Sequence, residues 1–600
     1  MTEEPLTDLN GRIRARLERV DLAPIEFERY KAIHYVGLGV AEYDLDVMRF
    51  LKPGSFFAVP NFRGNAEDRF SLFELVDFRP VHFGALAVTG ETLPDVRREV
   101  LEKVSEEWYL GSTSAYIALR GNQLNYELVT TGESYSFEES WSYPLIGGKV
   151  SFLTADACSR FINGTLPPSI PEMCKLVSQS QVGVRLDLAR LAEYHVGIFA
   201  YTGGGKSNLV SHIVRELVLN KPDMTAVIYD MAGEYAVNLA DLMLNKTLSP
   251  LLVLEEPVDS PRHLASRLAL PAALTAELND QVMEKFASIL IERGHVRHTA
   301  KRDFYVTPER VPVTYEDILS VIEEKISYYT QKEVAASRIM MEYVRSKLFE
   351  YMVENSIQPE RTVSPEFEKF LTDLSSSNQH RTVAALATEL RQLVAIAQYS
   401  PTRVQKQDLS GVTDTELIEW INSGQEHRLI IISFVEPQRL KRFAADISSR
   451  LLRLRKTRYT RHPLVLSVFD EAQEIIPRET RDDDSSRNSS FAVEQLLRQG
   501  RKYGLGGLIA TQRLAYLNTN VLQQIHTYFV GTLPRPYDRT TISDQFAVDP
   551  SIVDRTLMLK PGEWLLSSYT ATGVRSIPLF VSAPNNEHLI SETFKSLPNA

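Results

Sequence analysis

The spacing of apolar residues divides the chain into stretches of different texture. From about residue 30 to 155 the apolar runs are short and strand-like, as in FFAVP (Phe56 to Pro60), SAYIALRG (Ser114 to Gly121) and KVSFLT (Lys149 to Thr154). Gly, Pro and Asn punctuate them, which predicts a small antiparallel barrel or sandwich. From Val196 the order becomes strand, glycine loop, amphipathic helix, strand, the pattern of a parallel βαβ unit. After the loop, Leu209, Val210, Ile213, Val214, Leu217 and Val218 recur at helical spacing, and MTAVIYD (Met224 to Asp230) predicts the next buried strand.

Between about Pro261 and Ser400 the period is helical, for example over LTAELNDQVMEKFASILIERG (Leu274 to Gly294) and EVAASRIMMEYVRSKLFEYMVENS (Glu333 to Ser356), so an inserted helical bundle is expected. Apolar strands return in HRLIIISFV (His427 to Val435), PLVLSVFDEA (Pro463 to Ala472), LGGLIATQ (Leu505 to Gln512) and TYFVGTL (Thr527 to Leu533). One parallel sheet interrupted by helices accommodates all of them. RETRDDDSSRNSS (Arg478 to Ser490) lacks apolar residues and reads as a mobile loop. CKLVSQSQVGVRLDLARLAEYH (Cys174 to His195) fits either the β-rich part or the core.

Composition narrows the class. At 600 residues several domains are expected. The 44% hydrophobic and 24% charged content is that of a soluble protein, and the longest apolar run, LIIISFV, is far short of the roughly 18 residues of a membrane span. No membrane association is expected. The first residues, MTEEPLTDLNGRIRARLERV, are charged without an apolar core, so the expectation is a cytoplasmic protein. Two cysteines, Cys158 and Cys174, are too few for a disulfide framework or a four-cysteine zinc site. With a net charge of -11, a nucleic-acid partner must meet a local basic surface.

Chemistry concentrates in AYTGGGKSN (Ala200 to Asn208). Placed between a strand and a helix, this is a phosphate-binding loop with alanine where the first glycine is usual. The cofactor-binding residues are Thr202, Gly203, Gly204, Gly205, Lys206, Ser207 and Asn208. Backbone N–H groups of 203–206 would cradle the phosphates of ATP, Lys206 would reach the β- and γ-phosphates, and Ser207 would hold Mg²⁺. Ala200 is compatible with this if its φ is negative. LVLSVFDEA supplies the carboxylates: Asp470 for the Mg²⁺ shell and Glu471 to polarise the attacking water. Gln512, at a neighbouring strand end, would sense the γ-phosphate. Asp230 and Glu234 of DMAGEY lie near the same edge, where they serve the site or shape a turn.

AYTGGGKSN, DMAGEY, VFDEAQEIIP and LLRQGRKYGLGGLIATQRL, in this order, resemble the HerA branch of the HerA/FtsK family of ATP-driven DNA translocases. The resemblance implies an α/β fold: a RecA-like P-loop ATPase core with an N-terminal β-barrel and an inserted helical bundle. Its divisions would be a barrel at 1–170, the core in two parts at 171–260 and 411–575, the bundle at 261–410, and a C-terminal brace on a neighbour at 576–600. It further implies a homo-hexameric ring threading duplex DNA, with an arginine supplied in trans to the next subunit's site. Arg501 in RQGRKYG matches that arginine, with Arg498 as the near alternative. HerA proteins work with the NurA nuclease in end resection, and HerA-like proteins with sirtuin-type or nuclease effectors in phage defence. The chain departs from the family at Ala200 (usually Gly), at Gln473 (usually His) and in DMAGEY (often DPHGEY), which implies slow or partner-dependent hydrolysis.

Candidate DNA contacts are Arg439, Lys441 and Arg442 in EPQRLKRF, and Arg535 and Arg539 in PRPYDRTT, where cations would grip phosphates without reading sequence. The competing expectations are an ATP-binding scaffold that organises an effector complex with little turnover, and a translocase of protein or RNA.

Overall fold

The computed structural model describes residues 4–597 apart from 27–30, 64–66, 87, 89–92, 111–113, 133, 246, 276, 300–313, 332–333, 360, 365, 378–379, 381, 385, 388–389, 392–410 and 480–483. Two units are present: Met1–Thr299 with Gly411–Ala600, and Ala300–Ser410.

The larger unit begins with eight strands: β1 (Leu6–Thr7), β2 (Ala15–Glu26), β3 (Lys31–Glu42), β4 (Phe56–Arg63), β5 (Asp68–His82), β6 (Ala115–Thr131), β7 (Ser134–Glu138) and β8 (Lys149–Leu153). All pair antiparallel. Because β8 pairs with both β2 and β4, the path β8-β2-β3-β6-β5-β4 returns on itself. Alternate residues of β6 are buried, as with Ala115, Ile117 and Leu119, and the last two meet Phe57, Phe73, Val150 and Phe152 in one apolar cluster. Gly37 and Gly121 make room for two of these rings: a methyl on either would come within 2.7 Å of Phe73 or 2.5 Å of Phe57.

The core is a 12-stranded sheet made of β9 (Glu172–Leu176), β10 (Gly183–Arg185), β11 (Val196–Phe199), β12 (Met224–Asp230), β13 (Leu251–Leu254), β14 (Val296–His298), β15 (Leu429–Ser433), β16 (Leu464–Phe469), β17 (Leu505–Thr511), β18 (Thr527–Val530), β19 (Glu563–Ser568) and β20 (Leu579–Ser582). The run β18-β11-β17-β16-β12-β15-β13-β14 is parallel, and β19, β20, β9 and β10 extend it antiparallel. The stretch from Cys174 that fitted either side therefore joins the core sheet through β9 and β10.

Strands buried on both faces are near-continuously apolar, and successive residues of β12 show why: Ala226 and Ile228 join one cluster, Val227 and Tyr229 the other. The first cluster is covered by helices Lys206–Asn220, Asp280–Glu292 and Glu587–Lys595. The second lies under Asp414–Ser423, Pro437–Arg458, Asp484–Gly500 and Pro536–Phe546.

Two expectations change. Residues 261–299, expected in the inserted bundle, pack into the larger unit, because Met283, Phe286 and Leu290 bury against the sheet's first cluster. The expected loop at 478–490 is helical from Asp484, while 480–483 lie outside the described residues. Its buried Ser486 accepts from Lys441 of helix Pro437–Arg458 at 3.1 Å, and Ser489 and Ser490 donate to the carbonyls of Ile475 (2.5 Å) and Pro477 (3.3 Å), so small polar residues do the packing that apolar ones signal elsewhere. Residues 576–597 are engaged within their own chain: β20 pairs with β19 and β9, and Ser591 donates to Glu277 at 2.7 Å.

The smaller unit is helical, with helices Tyr315–Gln331, Ala335–Glu354 and Phe367–Ser377 around Ile318, Ile322, Val344, Leu348, Phe367 and Leu371. The parts of the expected bundle at 300–313 and 392–410 lie outside the described residues. Cys158 and Cys174 are free and buried, and burial pushes both thiols up to about 12. Among the described residues no helix is long and apolar enough to cross a membrane.

Candidate nucleotide site

The loop leaves the carboxyl end of β11, which lies between β17 and β18. Ligands of open α/β sheets gather at such strand ends, next to a helix N-terminus whose N–H groups are unpaired. Gly203 and Gly205 have φ of 84° and 90°, a conformation costly for residues with a Cβ, and Gly205 directly precedes helix Lys206–Asn220. Ala200 keeps out of the left-handed region, and its methyl is buried against Gly204 and Gly531. The alanine is therefore accommodated without strain.

β16 delivers the carboxylates from two strands away. Lys206 Nζ lies 2.6 Å from Glu471 Oε1 and 3.3 Å from Asp470 Oδ1. Burial pulls the lysine's pKa down, but the two carboxylates outweigh it and hold the ammonium above its usual range. Asp470, 4% exposed, is shifted upward, first by burial and then by Glu471, with Lys206 opposing. Glu471 has φ 45° and ψ 48°, a left-handed backbone unusual for a side chain and of a kind that clusters at functional sites. Its other oxygen accepts from Gln473 Nε2 at 2.9 Å, and Thr511 at the end of β17 donates to Gln473 Oε1 at 2.5 Å.

Gln512, immediately after β17, donates to Glu471 at 3.2 Å and accepts from the Thr202 hydroxyl. It thus touches the loop and the carboxylate at once. The side chains from β11, β16 and β17 expected to meet are together: Thr202, Lys206, Asp470, Glu471 and Gln512.

Glu234 and Asp230 are not equivalent. Glu234 lies beside Ser207, and its pKa is raised, first by burial, then by Asp470 and Glu471 against the opposing serine and lysine. It belongs to the site. Asp230 takes N–H bonds from Ala232 (3.0 Å), Gly233 (2.8 Å) and Tyr235 (3.0 Å), so it shapes the turn after β12. Gly233 has φ 73° there, and a methyl on it would come within 2.6 Å of the Arg267 carbonyl.

Among the described residues no group of three or more His, Cys, Asp or Glu side chains is placed to hold a metal by itself. Mg²⁺ needs no such cage, since it keeps waters and takes phosphate oxygens besides one or two protein ligands. The hard oxygens of Ser207 and Asp470, with Glu234 beside them, fit that demand.

Several expected site residues lie elsewhere. Asn208 faces the C-terminal segment: its Nδ2 donates to the Pro584 carbonyl at 2.8 Å and its Oδ1 accepts from Asn586 N–H at 3.0 Å. Both of its polar atoms are engaged away from the phosphates. Lys441 is 7% exposed and donates to Ser486 at 3.1 Å, which turns it into the helix packing. Arg539 holds the carbonyls of Leu533 (2.8 Å) and Pro534 (3.0 Å) and pairs with Asp554 at 2.8 Å. Arg439 pairs with buried Glu255 at 3.0 Å. Arg442 and Arg535 are exposed.

Arg498 and Arg501 are exposed at the opposite end of the sheet. The Arg501 guanidinium lies 5.0 Å over the ring of Tyr194, which precedes β11, whereas the loop follows it. His195 fixes this end. Its Nδ1 accepts from Gly507 N–H at 3.1 Å and its Nε2 bonds the Leu497 carbonyl at 2.8 Å, while burial pushes its pKa down to about 4. Neither that role nor the partnership of Glu234 with Ser207 was legible in the spacing of residues.

The family described as "Helicase HerA, central domain" matches residues 172–451, which take in the loop and strands β9 to β15 but not β16 and β17. The DNA double-strand break repair helicase HerA of Pyrococcus furiosus is 23% identical over 441 residues, 70% of each chain. Through this region the chain resembles the HerA-like ATPases of the HerA/FtsK superfamily. A probable helicase of Methanocaldococcus jannaschii is 24% identical to this HerA-like chain over 420 residues, 69% of this chain and 70% of the relative. Among solved structures, VirB4 of Thermoanaerobacter pseudethanolicus overlaps 71% of the HerA-like chain and 99% of its own at 13% identity, with a TM-score of 0.34.

Proposed function

We propose that the chain hydrolyses ATP to drive movement along duplex DNA, as a homo-hexameric ring working with an effector chain. The observation that carries this reading is the meeting of Lys206, Asp470, Glu471 and Gln512 at the ends of three adjacent parallel strands. On binding ATP, Lys206 leaves Glu471 for the β- and γ-phosphates, which frees that carboxylate to accept a proton from the attacking water. Ser207 and Asp470 would hold Mg²⁺, which would neutralise charge on the phosphate oxygens. Gln512, shared between Thr202 and Glu471, reports whether a γ-phosphate is present. We assign Arg501, remote from its own loop, to a neighbour's site, where a guanidinium would neutralise transition-state charge.

Duplex DNA as the track is supported by the relative described as a DNA double-strand break repair helicase. Of the basic residues, Arg442 and Arg535 are our candidates for phosphate contact. We read the self-closing N-terminal sheet as the barrel that docks a nuclease or sirtuin-type effector in end resection or phage defence. The test is ATP hydrolysis by the purified chain with and without linear duplex DNA, alongside Lys206→Ala, Glu471→Gln and the mass of the assembly. Turnover that rises with DNA and disappears in both variants supports a motor. A ring that binds ATP and turns over no faster with DNA, alone or with its effector, refutes the motor in favour of the scaffold.

A further inference from the structure

The segment Asp549–Gly562 runs from the N-terminal sheet to the phosphate loop. Near its start Asp549 faces His34 of β3 at 3.6 Å. Arg555 then reaches Glu74 of β5 at 3.4 Å, and its guanidinium lies 4.2 Å over the ring of Phe580. Glu74 is 1% exposed, so this pair is removed from water. At the far end Gly562 donates its N–H to the Gly204 carbonyl at 3.2 Å. Contact with the loop is tight there: a methyl on Gly205 would stand 3.1 Å from Gly562 N. Thr532 holds the Leu559 carbonyl at 3.2 Å, and Ala583 donates to the Gly562 carbonyl at 2.9 Å just before the residues that bind Asn208.

A buried ion pair contributes little net stability, because desolvation of both ions offsets their attraction. Its effect is instead geometric: Glu74 leaves Arg555 one place to be. We propose that Arg555 is a positioning residue which, pinned by Glu74, holds Lys560–Gly562 against the phosphate loop, so that the N-terminal sheet sets nucleotide affinity. This rests on the reading of the loop as a nucleotide site. It extends that reading by giving the N-terminal sheet, the surface we assign to an effector, a route to the loop through eight consecutive residues, Arg555 to Gly562, and the hydrogen bond to Gly204.

The experiment is equilibrium binding of a fluorescent, non-hydrolysable ATP analogue to the full chain and to Arg555→Met, Arg555→Lys and Glu74→Gln, with Lys206→Ala as the reference for loss of the site. Arg555→Met and Glu74→Gln should bind about five- to thirty-fold more weakly, Arg555→Lys should recover part of the loss, and KM should rise with kcat unchanged. Equal binding by variants with wild-type circular dichroism and melting overturns the proposal. Where Arg555→Met fails to fold, the two milder variants carry the test. Amide exchange of residues 203–206 in the unliganded chain reads the strap without nucleotide: faster exchange in Glu74→Gln supports it and unchanged exchange overturns it. Failure of the wild-type chain to bind the analogue refutes the nucleotide reading instead, and the exchange result still decides whether the strap exists.

Discussion

Replacing Glu471 with glutamine should slow hydrolysis and tighten ATP binding at the same time. Lys206 is held by Glu471 at 2.6 Å and by Asp470 at 3.3 Å. Nucleotide must therefore compete with these carboxylates for the ammonium. A hydrogen bond between charged groups contributes about 1.5–3 kcal/mol, and the 28% exposure of the Glu471 side chain places this one toward the lower end. Releasing Lys206 from it should thus be worth about 1–2 kcal/mol, or about five- to thirty-fold in ATP affinity. Asp470 keeps the lysine neutralised in the variant, and glutamine still accepts a hydrogen bond from Gln473 or Gln512, so the fold should not suffer. Loss of the proton acceptor should lower kcat by about 10²- to 10⁴-fold. Affinity is measured by titrating a fluorescent ATP analogue in the absence of turnover, and kcat by phosphate release. An affinity unchanged or weakened in Glu471→Gln would refute the competition for Lys206, whatever happens to kcat.

Ala200→Gly should leave kcat within about two-fold, because the alanine already holds an unstrained φ and glycine adds only backbone freedom, which costs up to about 1 kcal/mol of stability; steady-state hydrolysis and melting check this. Lys441→Ala and Arg539→Ala should lower stability without altering the salt dependence of DNA binding, since both cations are engaged within the chain. Arg442→Ala and Arg535→Ala should each reduce the slope of log K against log salt by about 1, measured by fluorescence anisotropy on a duplex; unchanged slopes would remove them from the DNA surface. Burial, opposed by Arg555 and aided by Asp549, pushes Glu74 from 4.5 up to about 7. The folded chain then holds a proton that the unfolded chain releases, so this contribution to stability is present below about 4.5 and is lost as pH rises to about 7. Melting followed from pH 5 to 8 should therefore fall more steeply for the wild-type chain than for Glu74→Gln, and parallel curves would contradict the shift.

Alternation, helical spacing and the glycine loop determine the elements of the core, because each acts over a few neighbouring residues. MTAVIYD is a strand from Met224 to Asp230 and the helix begins at Lys206, as the pattern predicts. The loop's chemistry was legible for the same reason: a strand, glycines at positive φ and a helix N-terminus are consecutive in the chain. The carboxylates were legible as a strand end, and tertiary structure alone decided that β16 stands two places from β11 and brings Glu471 to Lys206. Charge is a poor guide to exposure, because it does not report partners. Lys441 and Arg539 read as cations and are packed inside, since Ser486 and the carbonyls of Leu533 and Pro534 satisfy them. The serine-rich stretch after residue 483 folds as helix because another helix lies against it, which no local periodicity records. The pairs that define the site's surroundings, Asn208 with Asn586 and Glu74 with Arg555, join residues hundreds of positions apart. Each forms only when folding brings its two partners together, so it leaves no mark on the spacing of residues along the chain.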